Sequence, residues 1–127
     1  MSAQVKTYEQ RRARRVPCIL YLNEVSDERA VPCRATNIST TGAYVRRLEG
    51  GVFLEGERVQ LELTLPGEQT PVWVGGRVVD AVEELLHDGA GVEFTALTRE
   101  DQRRINGYVG RVRRRLLQAA LVGLAPA

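Results

Sequence analysis

Between residues 16 and 97 the hydrophobic pattern is that of short strands separated by turn residues, with the period-2 alternation that marks a strand with one buried face. It is cleanest from Glu57 to Leu65, where Val59, Leu61, Leu63 and Leu65 share one face and Arg58, Gln60, Glu62 and Thr64 share the other. Upstream, Val16 to Val25 is rich in β-formers and predicts the first strand. Pro17 is tolerable there because the first residues of a strand can spare a donor. Ser26-Asp27-Glu28 predicts a turn, Val31 to Ile38 a second strand that closes a hairpin, and Ala43 to Leu48 a third strand. Gly50-Gly51 breaks the third strand, and Val52-Phe53-Leu54 reads as an apolar turn that plugs one end of the domain. Pro66-Gly67 ends the fourth strand. Pro71 to Val82 predicts a long fifth strand, with Gly75-Gly76 marking a bulge or sharp bend. Leu85 to Gly89 reads as a loop, and Gly91 to Phe94 as the last strand.

At Thr98 the period changes to that of a helix. Thr98 is a natural N-cap, and Glu100 and Asp101 place negative charge on the first turn. Ile105, Tyr108 or Val109, Val112 and Leu116 form an apolar stripe, with Arg113, Arg114 and Arg115 toward the end that favours cations. Gly107 and Gly110 each weaken this helix by roughly 1 kcal/mol relative to alanine, so its stability must come from packing. The expected organisation is an N-terminal arm over 1–15, a barrel over 16–97, a helix over 98–117 packed on it, and a fraying tail over 118–127. Six short strands without βαβ alternation predict a mainly β fold, a small six-stranded antiparallel β-barrel with a C-terminal α-helix.

Composition changes this picture little. A chain of 127 residues is one domain's worth. No apolar run approaches the ~20 residues of a membrane-spanning helix, so no membrane insertion is expected. The N-terminus lacks the apolar segment of a secretory signal, and a cytoplasmic location is the default expectation. Cys18 and Cys33, without CxxC spacing, read as free buried thiols. A zinc site would have only His87 to join them, so no metal is expected.

Charge changes it more. Residues 1–15 carry five basic groups against one acid, and residues 98–116 carry seven against two, although the whole chain is only +2. The body between them holds six basic groups and thirteen acids. A basic arm on an acidic body suits an anionic ligand held at the arm better than a wholly basic nucleic-acid surface. An arm beside a small barrel also suits a single-stranded nucleic-acid binder, but two Phe and one Trp leave too little stacking surface for that role. Enzymatic chemistry finds no support. The single histidine, His87, sits beside Asp88 with no nucleophile near it, and the acids lie on outward faces or in turns. Trp73 reads as a packing residue.

Two short stretches carry the candidate chemistry. Arg11 and Arg15 lie four apart within Gln10-Arg11-Arg12-Ala13-Arg14-Arg15, immediately before the first strand. Asn37-Ile38-Ser39-Thr40-Thr41-Gly42 lies where the second strand gives way to the third. Arginine forks make paired hydrogen bonds to phosphate oxygens or to the acceptor edge of guanine. A small amide, a hydroxyl and a glycine at a strand junction offer donors, acceptors and close backbone approach. Taken singly, the first could be a solvated basic arm and the second only a turn.

In this order, the Arg-x-x-x-Arg and Asn-x-Ser-x-x-Gly stretches resemble the signature of PilZ domains, small bacterial β-barrel receptors for cyclic di-GMP. The resemblance covers residues 9 to 117. It implies that Arg11 and Arg15 hold phosphates and guanine edges, that Asn37 bonds a guanine edge and Ser39 a phosphate or base, and that Gly42 lets the turn pass close to the ligand. Arg12 and Arg14 are implied as auxiliaries. It further implies a non-enzymatic adaptor with no cofactor beyond that ligand. Such an adaptor engages a protein partner in motility, pilus or polysaccharide control, with an arm that orders on binding. A relative that keeps the motif yet acts without ligand is the alternative.

Overall fold

The computed structural model describes residues 14–81 and 89–124. Its strands are β1 (Val16–Ser26), β2 (Arg29–Ile38), β3 (Gly42–Arg47), β4 (Arg58–Leu63), β5 (Val72–Ala81) and β6 (Gly89–Ala96), followed by helix α1 (Arg99–Leu124). All neighbouring strands are antiparallel, and they close into a barrel in the order β1-β2-β3-β6-β5-β4. The expected six-stranded barrel with a C-terminal helix is the architecture found.

Alternation builds the interior. Val59, Leu61, Leu63 and Leu65 are all buried, as their period requires, and meet Leu20, Leu22, Val45, Val72, Val74 and Val92 in one core. The bend expected at Gly75-Gly76 is a register shift between β5 and β6 at those residues. A Cβ on Gly76 would stand 2.6 Å from Val92 Cγ1, so only glycine lets the two strands approach there.

The two barrel ends are closed differently. At one end Phe53, 2% exposed, is the plug that the Val52-Phe53-Leu54 turn was expected to supply. Arg47 lies over its ring, 4.0 Å from the centroid, and pairs with Glu24 at 2.8 Å and Glu57 at 3.5 Å. That arginine ties β3 to β1 and to the loop before β4, a role that alternation alone does not predict. At the other end lies α1. Thr98 caps it, its Oγ1 accepting from Asp101 N at 3.1 Å. Ile105, Tyr108 and Val109 are buried against the barrel. Arg104 fastens α1 to the β4–β5 turn through Glu68 and the carbonyls of Thr70 and Pro71.

Three expectations are corrected. The helix does not end at 117 in a frayed tail; it continues to Leu124, through Gln-Ala-Ala-Leu-Val, which holds good helix formers and no breaker. Its apolar stripe leaves the barrel early: Leu116 is 45% exposed because the helix, about 39 Å long at 1.5 Å per residue, runs past the barrel wall. Trp73 is not in the core; it stands on the outer face of β5, 41% exposed. The expected end of β5 at Val82 and the loop around His87 fall outside the described residues, except Gly89, which opens β6 rather than ending that loop.

Both cysteines are free thiols; Cys33 is buried and Cys18 half-buried. Burial pushes each thiol from the ordinary 9.0 up to about 11. Below pH 9 folded and unfolded chains both carry neutral thiols. Above it the unfolded chain can ionise while the folded one resists, so stability is lost as pH rises from about 9 toward 11. The urea midpoint should therefore drop between pH 7.5 and pH 10, and drop less in a Cys33→Ala variant; an equal drop in both would remove the thiol from the explanation.

Candidate ligand site

The site forms where the start of β1, the β2–β3 turn and the middle of β6 meet. The turn is held from within. Ser39 is 2% exposed, and its Oγ accepts from the backbone N–H of Thr41 at 3.2 Å and of Gly42 at 3.1 Å. It also lies 3.3 Å from the Gly42 carbonyl, which accepts from Ser39 N–H at 2.8 Å. A hydroxyl at this point satisfies the local backbone and sets the shape of the turn. Gly42 serves a different contact from the one its place in a turn suggests. Among the described residues the positive-φ positions are Gly50, Gly51, Gly56 and Gly67, and Gly42 is not one of them. Gly42 pairs with Glu93 on β6, and a Cβ on it would stand 2.7 Å from the Val92 carbonyl oxygen. Glycine is required by the approach of β3 to β6.

Arg15 and Arg14 are exposed at the root of the arm, while Arg11 and Arg12 lie outside the described residues. The Arg15 guanidinium reaches across to β6, where its Nη2 would be 3.6 Å from a Cβ built on Gly91. Arg15, Ser39, Thr41, Gly42 and Glu93 surround a cleft of about 20 Å³, room for roughly one water or one phosphate oxygen. A larger ligand must therefore lie on the surface above it. Asn37 sits on β2 between Pro17 of β1 and Tyr44 of β3. Its Oδ1 is buried and has no hydrogen-bond partner among the described residues. A buried amide oxygen without a donor costs of order 1–3 kcal/mol. An incoming donor would remove that cost.

Several participants are invisible to motif reading. Gly89 and Gly91 alternate along β6 and so share its outer face, where they leave room for the Tyr44 ring and the Arg15 guanidinium. The Tyr44 ring fills the space where a Gly89 Cβ would be, within 2.6 Å. The alternation of two glycines is a signal the sequence carries, though Gly89 reads there as loop. Helix α1 touches both motif halves: Gln102 Nε2 donates to the Thr40 carbonyl at 2.8 Å, and Arg113 donates to the Arg14 carbonyl at 3.2 Å. No local pattern announces these two contacts, because their partners are 62 and 99 residues away. Thus Arg15, Ser39 and Gly42 line one cleft, with Ser39 and Gly42 shaping the backbone, while Asn37 stands one strand away from Gly91, opposite Tyr44, its oxygen buried.

The small closed barrel thus carries an exposed arginine just before β1, an amide oxygen without a partner among the described residues, and two glycines on the outer face of β6. The chain belongs to the PilZ domain family, whose model matches residues 9–111. Among solved structures it is similar to the Bacillus subtilis inhibitor of motility MotI/DgrA (TM-score 0.69, 22% identity, covering 84% of this chain and 51% of that one). It is also similar to Escherichia coli YcgR in complex with c-di-GMP (TM-score 0.69, 16% identity, 87% and 49% covered). The PilZ domain of YcgR with c-di-GMP aligns at TM-score 0.62 and 14% identity over 87% of this chain and 97% of that one. The chain spans about half the length of the first two. A comparison with curated proteins finds no match.

Proposed function

We propose that this PilZ domain is a receptor for cyclic di-GMP that passes occupancy on to a protein partner. The observation that carries the reading is the buried Oδ1 of Asn37, without a partner among the described residues, in the same cross-strand row as Tyr44 and Gly91, where the Arg15 guanidinium lies. Guanine offers what this surface lacks: N–H donors for the Asn37 oxygen and an O6/N7 acceptor edge for an arginine fork. Membership of the family and the c-di-GMP complexes of similar folds support the same ligand. Arg15 and Arg11 hold phosphate or base edges, with Arg12 and Arg14 as auxiliaries. Ser39 and Gly42 act by holding the turn. The Tyr44 ring offers a face beside Asn37. No chemical step is required, and the partner belongs to motility, pilus or polysaccharide control.

Binding becomes a signal through the arm. Four arginines in five residues repel one another, and a ligand with two phosphates relieves that repulsion while tying Arg11 to the Asn37–Gly42 turn. Because α1 holds the root of the arm through Arg113 and the turn through Gln102, closure also loads the helix. The driving force is the difference in ligand affinity between open and closed arms. Limited trypsin digestion tests this: cyclic di-GMP should slow cleavage at Arg11 to Arg15 far more than at Arg99 or Arg103. Tight binding with unchanged arm cleavage would place the switch elsewhere.

A further inference from the structure

Beside the ligand site, which shares β6 with it, an open groove of about 940 Å³ runs down the outer face of β4, β5 and β6 from the start of α1. Its walls and floor include Trp73, Gly75, Arg77, Arg58, Gln60 and Thr95. Gly75 keeps the floor low, since a Cβ there would press on Ala96 at 3.2 Å. Trp73 stands 41% exposed at the helix end. Arg58 and Arg77, both exposed, are direct cross-strand partners at the other end. Like charges placed opposite each other in an antiparallel pair are destabilising. Among the described residues neither has a carboxylate within ion-pair distance.

Two nearby acids are otherwise engaged: Asp101 accepts from Trp73 N and Arg104, and Glu62 from Asn23. Glu93, the β6 partner of Arg77, lines the cleft at Arg15 and is not within ion-pair distance of Arg77.

We infer that this groove is a docking site for an acidic, extended segment of a partner protein. The segment lays an apolar side chain on Trp73 and carboxylates on the Arg58–Arg77 pair. The pitch sets its pattern. Trp73, Gly75 and Arg77 occupy successive positions on one strand face, so Trp73 and Arg77 are about 13 Å apart at ~3.3 Å per residue. An extended segment matches that with an apolar residue and, four positions on, an acidic pair; carboxylates and guanidinium forks make the short, paired bonds that offset the repulsion of the bare arginines. A second copy of the chain fits less well, because its exposed helix end pairs Leu117 and Leu121 with Arg113, Arg114 and Arg115 and brings more positive charge.

Trp73 is the sole tryptophan, which makes its fluorescence a reporter of this groove alone. A panel of acetylated peptides carrying Leu and, four residues on, Glu-Glu is titrated into the full chain, beside counterparts with Lys-Lys. The expected result is a saturable shift of Trp73 emission with acidic peptides only, weakened about tenfold or more in an Arg58→Gln/Arg77→Gln variant. That variant should melt no lower than the parent, since it removes the Arg58–Arg77 repulsion while the Glu93 opposite Arg77 forms no ion pair with it. The inference is overturned by no saturable shift across the panel, by equal binding of the Lys-Lys peptides, by self-association that accounts for the shift, or by a lower melting temperature of the double variant. It is also overturned if cyclic di-GMP alone produces the same shift and competes with the peptides, which would make the groove a nucleotide site.

Discussion

Replacing Arg15 by alanine is expected to weaken cyclic di-GMP binding about five- to 150-fold, the equivalent of losing one paired contact worth roughly 1–3 kcal/mol. Arg15 precedes β1 directly and lies over Gly91, so its guanidinium is placed before any ligand arrives. Arg12 lies farther out along the arm and should matter less. The side chain of Arg15 is exposed, and its removal should leave the melting temperature of the unliganded protein unchanged. Isothermal titration of the two single variants checks the order. Equal, parent-like affinity in both would mean that the clamp is assigned to the wrong residues.

Asn37→Val should push stability and binding in opposite directions. The Asn37 oxygen is buried without a donor among the described residues, and a β-branched apolar residue suits its place between Pro17 and Tyr44. Relief of an unmade hydrogen bond is worth about 1–3 kcal/mol, or roughly 3–5 °C in melting temperature for each kcal/mol recovered in a domain of this size. The same change deletes the acceptor for guanine's donors and should weaken cyclic di-GMP at least about tenfold. A thermal melt with and without ligand reads both effects. A variant that is less stable than the parent would show that the oxygen is satisfied in the unliganded protein, and would withdraw it from the ligand's contacts.

The barrel was legible because its signal is local. Period-2 alternation in Val59 to Leu65, the glycine pair at 75–76 and the Thr98 cap each act within a few residues, and each is found where it was read. What the pattern could not convey depends on contacts between distant segments. Arg47 looks like one more strand arginine, yet it is half-buried over Phe53 and paired with Glu24 and Glu57. Gly42 looks like a turn glycine, yet the carbonyl of Val92 is what excludes a side chain there. The continuation of α1 past Leu117 was missed for the opposite reason: an apolar run with no barrel beneath it looks like a tail, but helix propensity alone can carry it once the first turns are packed.

The site was half legible. Arg15, Ser39 and Gly42 do line one cleft, but type and spacing do not separate a hydroxyl that meets a ligand from one already used by its own turn, as that of Ser39 is. Likewise, Gln102 and Arg113 belong to a helix whose arginine-rich face reads as merely solvated, and only the fold brings them to the two motif halves. No helix among the described residues is long and apolar enough to cross a membrane.

The central claim is that this surface reads guanine, and calorimetric titration of the chain with cyclic di-GMP and, in parallel, with cyclic di-AMP tests it most directly. Adenine presents a donor where guanine presents O6, so the account predicts saturable heat at micromolar or lower concentrations of cyclic di-GMP and markedly weaker binding of cyclic di-AMP. Equal affinity for the two would contradict the reading of guanine by Arg15 and Asn37, and the absence of heat with either would contradict the receptor itself.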